Sequence, residues 1–97
     1  MAVIVTATVT IKPDKVAEAI AFMKERLPDT RSADGCQFLE VSEDRDRPEV
    51  LFSYSRWGSI EQYETYTAWR TETGVMAAFS ELVAEPPVTT FYETIDV

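Results

Sequence analysis

Between Val3 and Ile11 the chain alternates without a break: Val3, Val5, Ala7, Val9 and Ile11 are apolar, and Thr6, Thr8 and Thr10 stand between them. Successive side chains of a strand point to opposite faces, so this run reads as a strand with one face in a core and a semi-polar face turned away. Its β-branched content agrees. A strand of this kind needs a sheet that is covered on one side.

The residues that follow supply the cover. Pro13-Asp14 opens a helix with Asp14 as its N-cap, and Val16, Ile20, Met23 and Leu27 form one apolar stripe. Pro28 is expected to stop that helix or to end it soon after. Phe22 falls off the stripe and is expected at the surface, available to a partner chain. Gly35 marks a turn into a second strand, Cys36 to Glu43. Asp44-Arg45-Asp46-Arg47-Pro48 is a polar hairpin connection, and Val50 to Trp57 is a third strand. Ser59 followed by Gln62 makes a capping box, so a second helix starts there and runs to about Glu72. Gly74 breaks it. Val75, Phe79, Leu82 and Val83 then give the stripe of a short further helix, which Pro86-Pro87 ends. Val88 to Val97 reads as the last strand, with Phe91, Tyr92 and Ile95 as its buried ballast.

The order is β-α-β-β-α-β, which predicts an α+β, ferredoxin-like split βαβ fold: a four-stranded antiparallel sheet with helices on one face. Ninety-seven residues fit one domain, 1–97, and a chain so short gains from a partner. A second copy laid over the bare sheet face would make a dimeric α+β barrel, so a homodimer is expected.

Charge and residue inventory narrow the function. Nine basic residues against seventeen acidic ones leave a net charge of −8, with no basic stripe, which argues against nucleic acid and anionic membrane as partners. No apolar run is long enough to span a bilayer. Cys36 is the only cysteine, which suits a reducing, cytoplasmic setting, and the N-terminus reads as strand and not as signal peptide. The chain has neither His nor Asn. A histidine base, a His-based triad and a His-ligated metal or haem iron are therefore excluded. The expectation is no metal and no cofactor, with chemistry left to Tyr, Trp, Arg, Ser, Thr, carboxylates or the substrate itself.

Arg56-Trp57-Gly58-Ser59-Ile60-Glu61-Gln62-Tyr63 resembles the strand-end Trp and Ser-x-Glu helix start of antibiotic-biosynthesis monooxygenase domains, and Asp34-Gly35-Cys36 resembles the turn before that family's second strand. Length and element order match across nearly the whole chain. There are departures. Ser55 stands where many members carry Glu, and Tyr66 where many carry His. The haem-degrading branch depends on an Asn and a His, which disfavours haem degradation here. The branch that oxidises anthrones to quinones uses a Trp followed six residues on by a Tyr, a spacing that Trp57 and Tyr63 reproduce; the Asn that branch places four before the Trp is Ser53.

The resemblance implies cofactor-independent oxygenation of a phenolic or polyketide-like aromatic substrate by dioxygen, giving a quinone. Such a substrate needs an apolar slot, ring faces to stack on and polar handles. Trp57, Tyr63 and Tyr66 are the candidate catalytic residues, with Trp57 for stacking and Tyr63 as donor or proton-transfer partner. Ser53, Trp69 and Arg70 are the candidate substrate-binding residues; Arg70 lies near both tyrosines on the helix and would stabilise a phenolate. Each aromatic here also has a plain reading as core packing, and Arg70 as one half of a surface ion pair. Cys36 reads as buried and unreactive. The alternatives to an oxygenase are a polyketide cyclase or isomerase, and a ligand-binding dimer without catalysis.

Overall fold

The computed structural model describes residues 2–97, and Met1 lies outside the described residues. Four strands and three helices follow in the order β1 (Val3–Thr10), α1 (Val16–Arg31), β2 (Cys36–Glu43), β3 (Val50–Trp57), α2 (Ile60–Glu72), α3 (Val75–Ser80) and β4 (Val88–Glu93). The sheet order is β2-β3-β1-β4, with every neighbouring pair antiparallel. This is the ferredoxin-like split βαβ arrangement, with β1 central and β2 and β4 at the edges.

On the inner face the alternation in β1 does what its sequence demands, while Ile4 and Thr6 of the other face are buried as well between β3 and β4. Val3, Val5 and Ile11 enter two apolar clusters beneath the helices, and Thr8 is exposed on the other face. One cluster holds Ile11, Ala19, Leu51 and Leu82; the other holds Val3, Val5 and Trp57. Ile11 is not part of the ladder proper: it forms an isolated bridge to Val83, which ties the turn after α3 back to the end of β1.

Helix α1 departs from expectation at its N-cap and at Phe22, and it ends three residues beyond Pro28. Lys15, not Asp14, holds the N-cap position, without a side-chain cap. Pro28 lies inside the helix, which continues to Arg31. Proline cannot donate to the carbonyl four residues earlier, but the turn beyond it is closed by Ser32 N–H donating to the Pro28 carbonyl at 3.1 Å. Phe22 is half-buried against the Ile11 cluster, with its ring 5.6 Å from Phe79. The arrival of α3 on that side of α1 covers a ring that the helix alone would have exposed.

The hairpin between β2 and β3 is an Asx-type turn in which Asp44 Oδ1 accepts from the N–H groups of Asp46 and Arg47 at 2.8 and 3.2 Å. Those two bonds hold the Asp44 carboxyl below its ordinary value. Ser59 caps α2, its Oγ accepting from Gln62 N–H at 3.2 Å. The reciprocal half of the capping box is absent, because the Gln62 amide donates to Asp34 Oδ2 at 3.4 Å instead. That diversion clamps the β2 entrance to α2: Gly35 has a φ of 89°, Gly58 N–H donates to the Gly35 carbonyl at 2.8 Å, and a Cβ at Gly35 would run into the Gln62 side chain.

The last strand ends at Glu93, shorter than its sequence suggests. Phe91, Tyr92 and Ile95 are 50%, 52% and 72% exposed, so they are not ballast within this chain. An edge strand has a neighbour on one side only, and among the described residues Tyr63 meets Phe91, ring centres 5.6 Å apart, without burying it.

Candidate functional site

Helices α1 and α3 and the C-terminal turns of α2 stand over the inner face of the sheet and leave a cleft of about 220 Å³ between them. Its walls are Phe22, Met23, Leu27, Val75, Met76 and Phe79 from the helices and Val9, Val41 and Ser53 from the sheet. Thr30, Arg26, Tyr66 and Arg70 supply its polar groups. No Asp or Glu lines it. A mostly apolar hollow with a few convergent donors is the common form of a small-molecule site.

Arg70 organises those donors. It is 3% exposed, yet among the described residues it has no carboxylate within ion-pairing distance; Arg26–Glu25 is the one salt bridge there. Its Nε donates to Tyr66 Oη at 2.9 Å, and its Nη2 donates to the Arg26 carbonyl at 2.7 Å and to Thr30 Oγ1 at 3.0 Å. The guanidinium carbon lies 4.7 Å from the centre of the Trp69 ring and 5.3 Å from that of Tyr66. Burying a charge without a counter-ion costs several kcal/mol, and here only neutral acceptors and two ring faces offset it.

Tyr66 Oη and Thr30 Oγ1 are 2.6 Å apart and either is able to donate to the other. Each already accepts from Arg70. Between two hydroxyls there are two hydrogens, and one is consumed by the bond joining them. One hydroxyl hydrogen is thus left for a third acceptor, on a pair of side chains that both line the cleft.

The remaining candidates occupy other places. Ser53 reaches the cleft floor from β3. Trp57, two strand steps below it with respect to the pleat, is 1% exposed and donates from Nε1 to Ser55 Oγ at 3.0 Å, while Ser55 donates to the Val5 carbonyl at 3.2 Å. Its indole is flanked by Tyr66 at 5.1 Å and Tyr63 at 5.4 Å between ring centres. Trp57 therefore backs the tyrosines from within the core. Tyr63 packs against Phe91 of β4 at 5.6 Å and lies 6.5 Å from Tyr66 between ring centres without lining the cleft, and burial pushes its phenol above the ordinary value, with Tyr66 adding to the shift. Trp69 is 44% exposed and walls a separate outer groove with Ala33, Asp34 and Gln62. Cys36 is half-buried; loss of solvent raises its thiol, against the pull of a backbone contact from Phe38 and the charge of Arg31. Among the described residues no group of three acidic or sulfur side chains is arranged to hold a metal ion.

Sequence reasoning missed Thr30 and Arg26. Both lie on the turns of α1 flanking Pro28, off the apolar stripe by which the helix is read. The signal was present: Ala19, Met23, Arg26 and Thr30 recur at steps of four, three and four, which is helical spacing with polar residues at its C-terminal end.

A profile of the family described as antibiotic biosynthesis monooxygenase matches residues 2–78. Among solved structures, a conserved protein from Methanosarcina mazei Go1 is similar with a TM-score of 0.90 at 21% identity, over 98% of this chain and 94% of that one. Rv0793 from Mycobacterium tuberculosis gives a TM-score of 0.88 at 23% identity, over 100% and 98% of the two chains. A structure described as an antibiotic biosynthesis monooxygenase gives 0.88 at 15% identity, over 97% and 99%. At these identities the likeness is one of fold. No curated protein gives a significant sequence match.

Proposed function

Since the chain belongs to the antibiotic biosynthesis monooxygenase family, we propose that it is a cofactor-independent monooxygenase that oxidises a phenolic or polyketide-like aromatic molecule to a quinone with dioxygen. The observation that supports this reading best is the buried Arg70–Tyr66–Thr30 group facing an apolar cleft with a hydroxyl hydrogen to spare.

For an anthrone the chemistry balances without further reactants. The ring methylene loses a proton to solvent at the cleft mouth, and the resulting enolate passes one electron to dioxygen. Superoxide and the substrate radical combine at that carbon, the peroxide takes up a proton, and loss of water leaves the second carbonyl. The slow demand on the protein is to stabilise negative charge on the substrate oxygen. Arg70 and the Tyr66–Thr30 pair serve that oxygen, Ser53 offers a second handle, and the apolar walls keep the ring system flat and dry. Trp57 acts as a positioning residue that fixes the Tyr66 ring, and Trp69 acts through its stacking on Arg70. Tyr63 contributes to this packing from behind Trp57.

The same reading includes a homodimer. Phe38, Phe52, Val88 and Tyr92 project from the outer sheet face at 46%, 42%, 65% and 52% exposure, beside Tyr54 and Thr6. A contiguous aromatic and aliphatic face of this kind suits a partner sheet. No helix among the described residues is long and apolar enough to cross a membrane.

The test is oxidation of anthrone under isotopically labelled dioxygen. One labelled oxygen in the quinone, at a rate above the uncatalysed one and lowered in Tyr66→Phe, supports the proposal. Unlabelled product, or a rate equal to that without protein, rejects it.

A further inference from the structure

In a chain of net charge −8, the only charged side chains on the cleft among the described residues are two arginines, Arg26 and Arg70. Seventeen carboxylates are distributed elsewhere, and none of them neutralises Arg70. A guanidinium cannot shed its charge inside a protein, so its burial leaves a standing attraction for an anion. The three bonds that hold Arg70 use Nε and Nη2; among the described residues Nη1 has no partner and is not fully buried, on a side chain that is 3% exposed and lines the cleft. Add the unspent hydroxyl hydrogen of the Tyr66–Thr30 pair, and the cleft holds a charged donor and a neutral donor beside apolar walls.

We propose that this cleft selects a planar aromatic molecule already carrying a negative oxygen, a carboxylate or an acidic phenolate, and discriminates against its neutral isostere. The inference rests on the oxygenase reading for the location of the substrate, and it names the substrate class: an aromatic acid whose anionic oxygen is received by Arg70 and the Tyr66–Thr30 pair. Neutral phenols would bind the same walls without the charge-assisted bond. Overall acidity of the protein then has a consequence for selectivity, because an anion is attracted only where the local arginines outweigh the general field.

Calorimetric titration of the whole chain tests this without any turnover. The probes are 2-naphthoate against 2-naphthamide, and at pH 8 the 4-nitrophenolate ion against 4-nitroanisole; the two pairs separate carboxylate from phenolate recognition. At least one anion is expected to bind about tenfold more tightly than its neutral partner, with the preference shrinking as salt is raised. Arg70→Met should abolish the preference. Should that variant fail to fold, Ser53→Leu, which fills the cleft floor, should weaken the anion and its isostere together, placing both in this cleft. Equal binding within each pair, a preference that survives in folded Arg70→Met, or anion binding untouched by Ser53→Leu would overturn the inference. Anion preference without oxygen-dependent turnover would leave this inference standing and reject the oxygenase, and the reverse pattern would do the opposite.

Discussion

At Arg70 a charged group is 3% exposed and meets no carboxylate, and its neighbours are shaped by that fact. Tyr66, Thr30 and the Arg26 carbonyl carry its hydrogen bonds, and Trp69 and Tyr66 give it ring faces. Tyr66→Phe removes one acceptor and strands Nε. It should cost about 1–3 kcal/mol of stability, read from urea midpoints, and lower turnover about tenfold to a hundredfold. Tyr63→Phe should leave turnover within about twofold, since the ring keeps its packing on Trp57, Tyr66 and Phe91 and Tyr63 is not among the residues that line the cleft. Tyr63 should show itself in pH dependence instead. Its phenol ionises less readily in the folded chain than in the unfolded one, so its contribution is whole below the ordinary tyrosine value of about 10 and is lost as pH rises above it. Urea midpoints measured at increasing alkaline pH should fall less steeply in Tyr63→Phe than in the parent.

The elements show how far the sequence carries. β2, β3 and α2 have the boundaries that turn residues and the Ser59 cap imply, because each is delimited by local chemistry: an Asx turn, a hydroxyl cap, a positive-φ glycine. Helix α1 was legible at its start within two residues and at its end within three, since Pro28 forbids one hydrogen bond and not a last turn closed by other groups. Thr30, in that last turn, meets Tyr66 from thirty-six residues away, and no local pattern announces such a pair. Trp57 and Tyr63 stood out through the family resemblance, but a resemblance in spacing does not say which side of an indole faces a cavity; packing of α2 and β4 decides that. The glycine clamp between β2 and α2 gives a sharper expectation. Gly35→Ala must place a Cβ at φ 89° against Gln62, and should lower stability by about 1–3 kcal/mol in chemical denaturation. Ser59→Ala, which deletes only the cap, should cost about 1 kcal/mol.

For the whole molecule, the sheet has two different faces and the sequence distinguished them. The inner one is sealed by helices around the cleft, and the outer one carries Phe38, Phe52 and Tyr92 towards solvent. β4 completes the sheet while burying little of itself, which is costly for a lone chain and sensible for one half of a pair. Phe52→Glu, on the outer face opposite Thr8, should shift the species seen in sedimentation velocity from dimer to monomer. An unchanged sedimentation coefficient in the parent and the variant, both monomeric, would remove the barrel from the account. The cleft belongs to one chain, so binding should outlast that substitution even where turnover falls. The most direct measurement is the rate of anthrone oxidation in air and under argon, with the wild-type chain and with Tyr66→Phe. Acceleration that vanishes under argon and falls at least tenfold in the variant is the expected result. Equal rates in air and argon, or a variant as fast as the wild type, would contradict it.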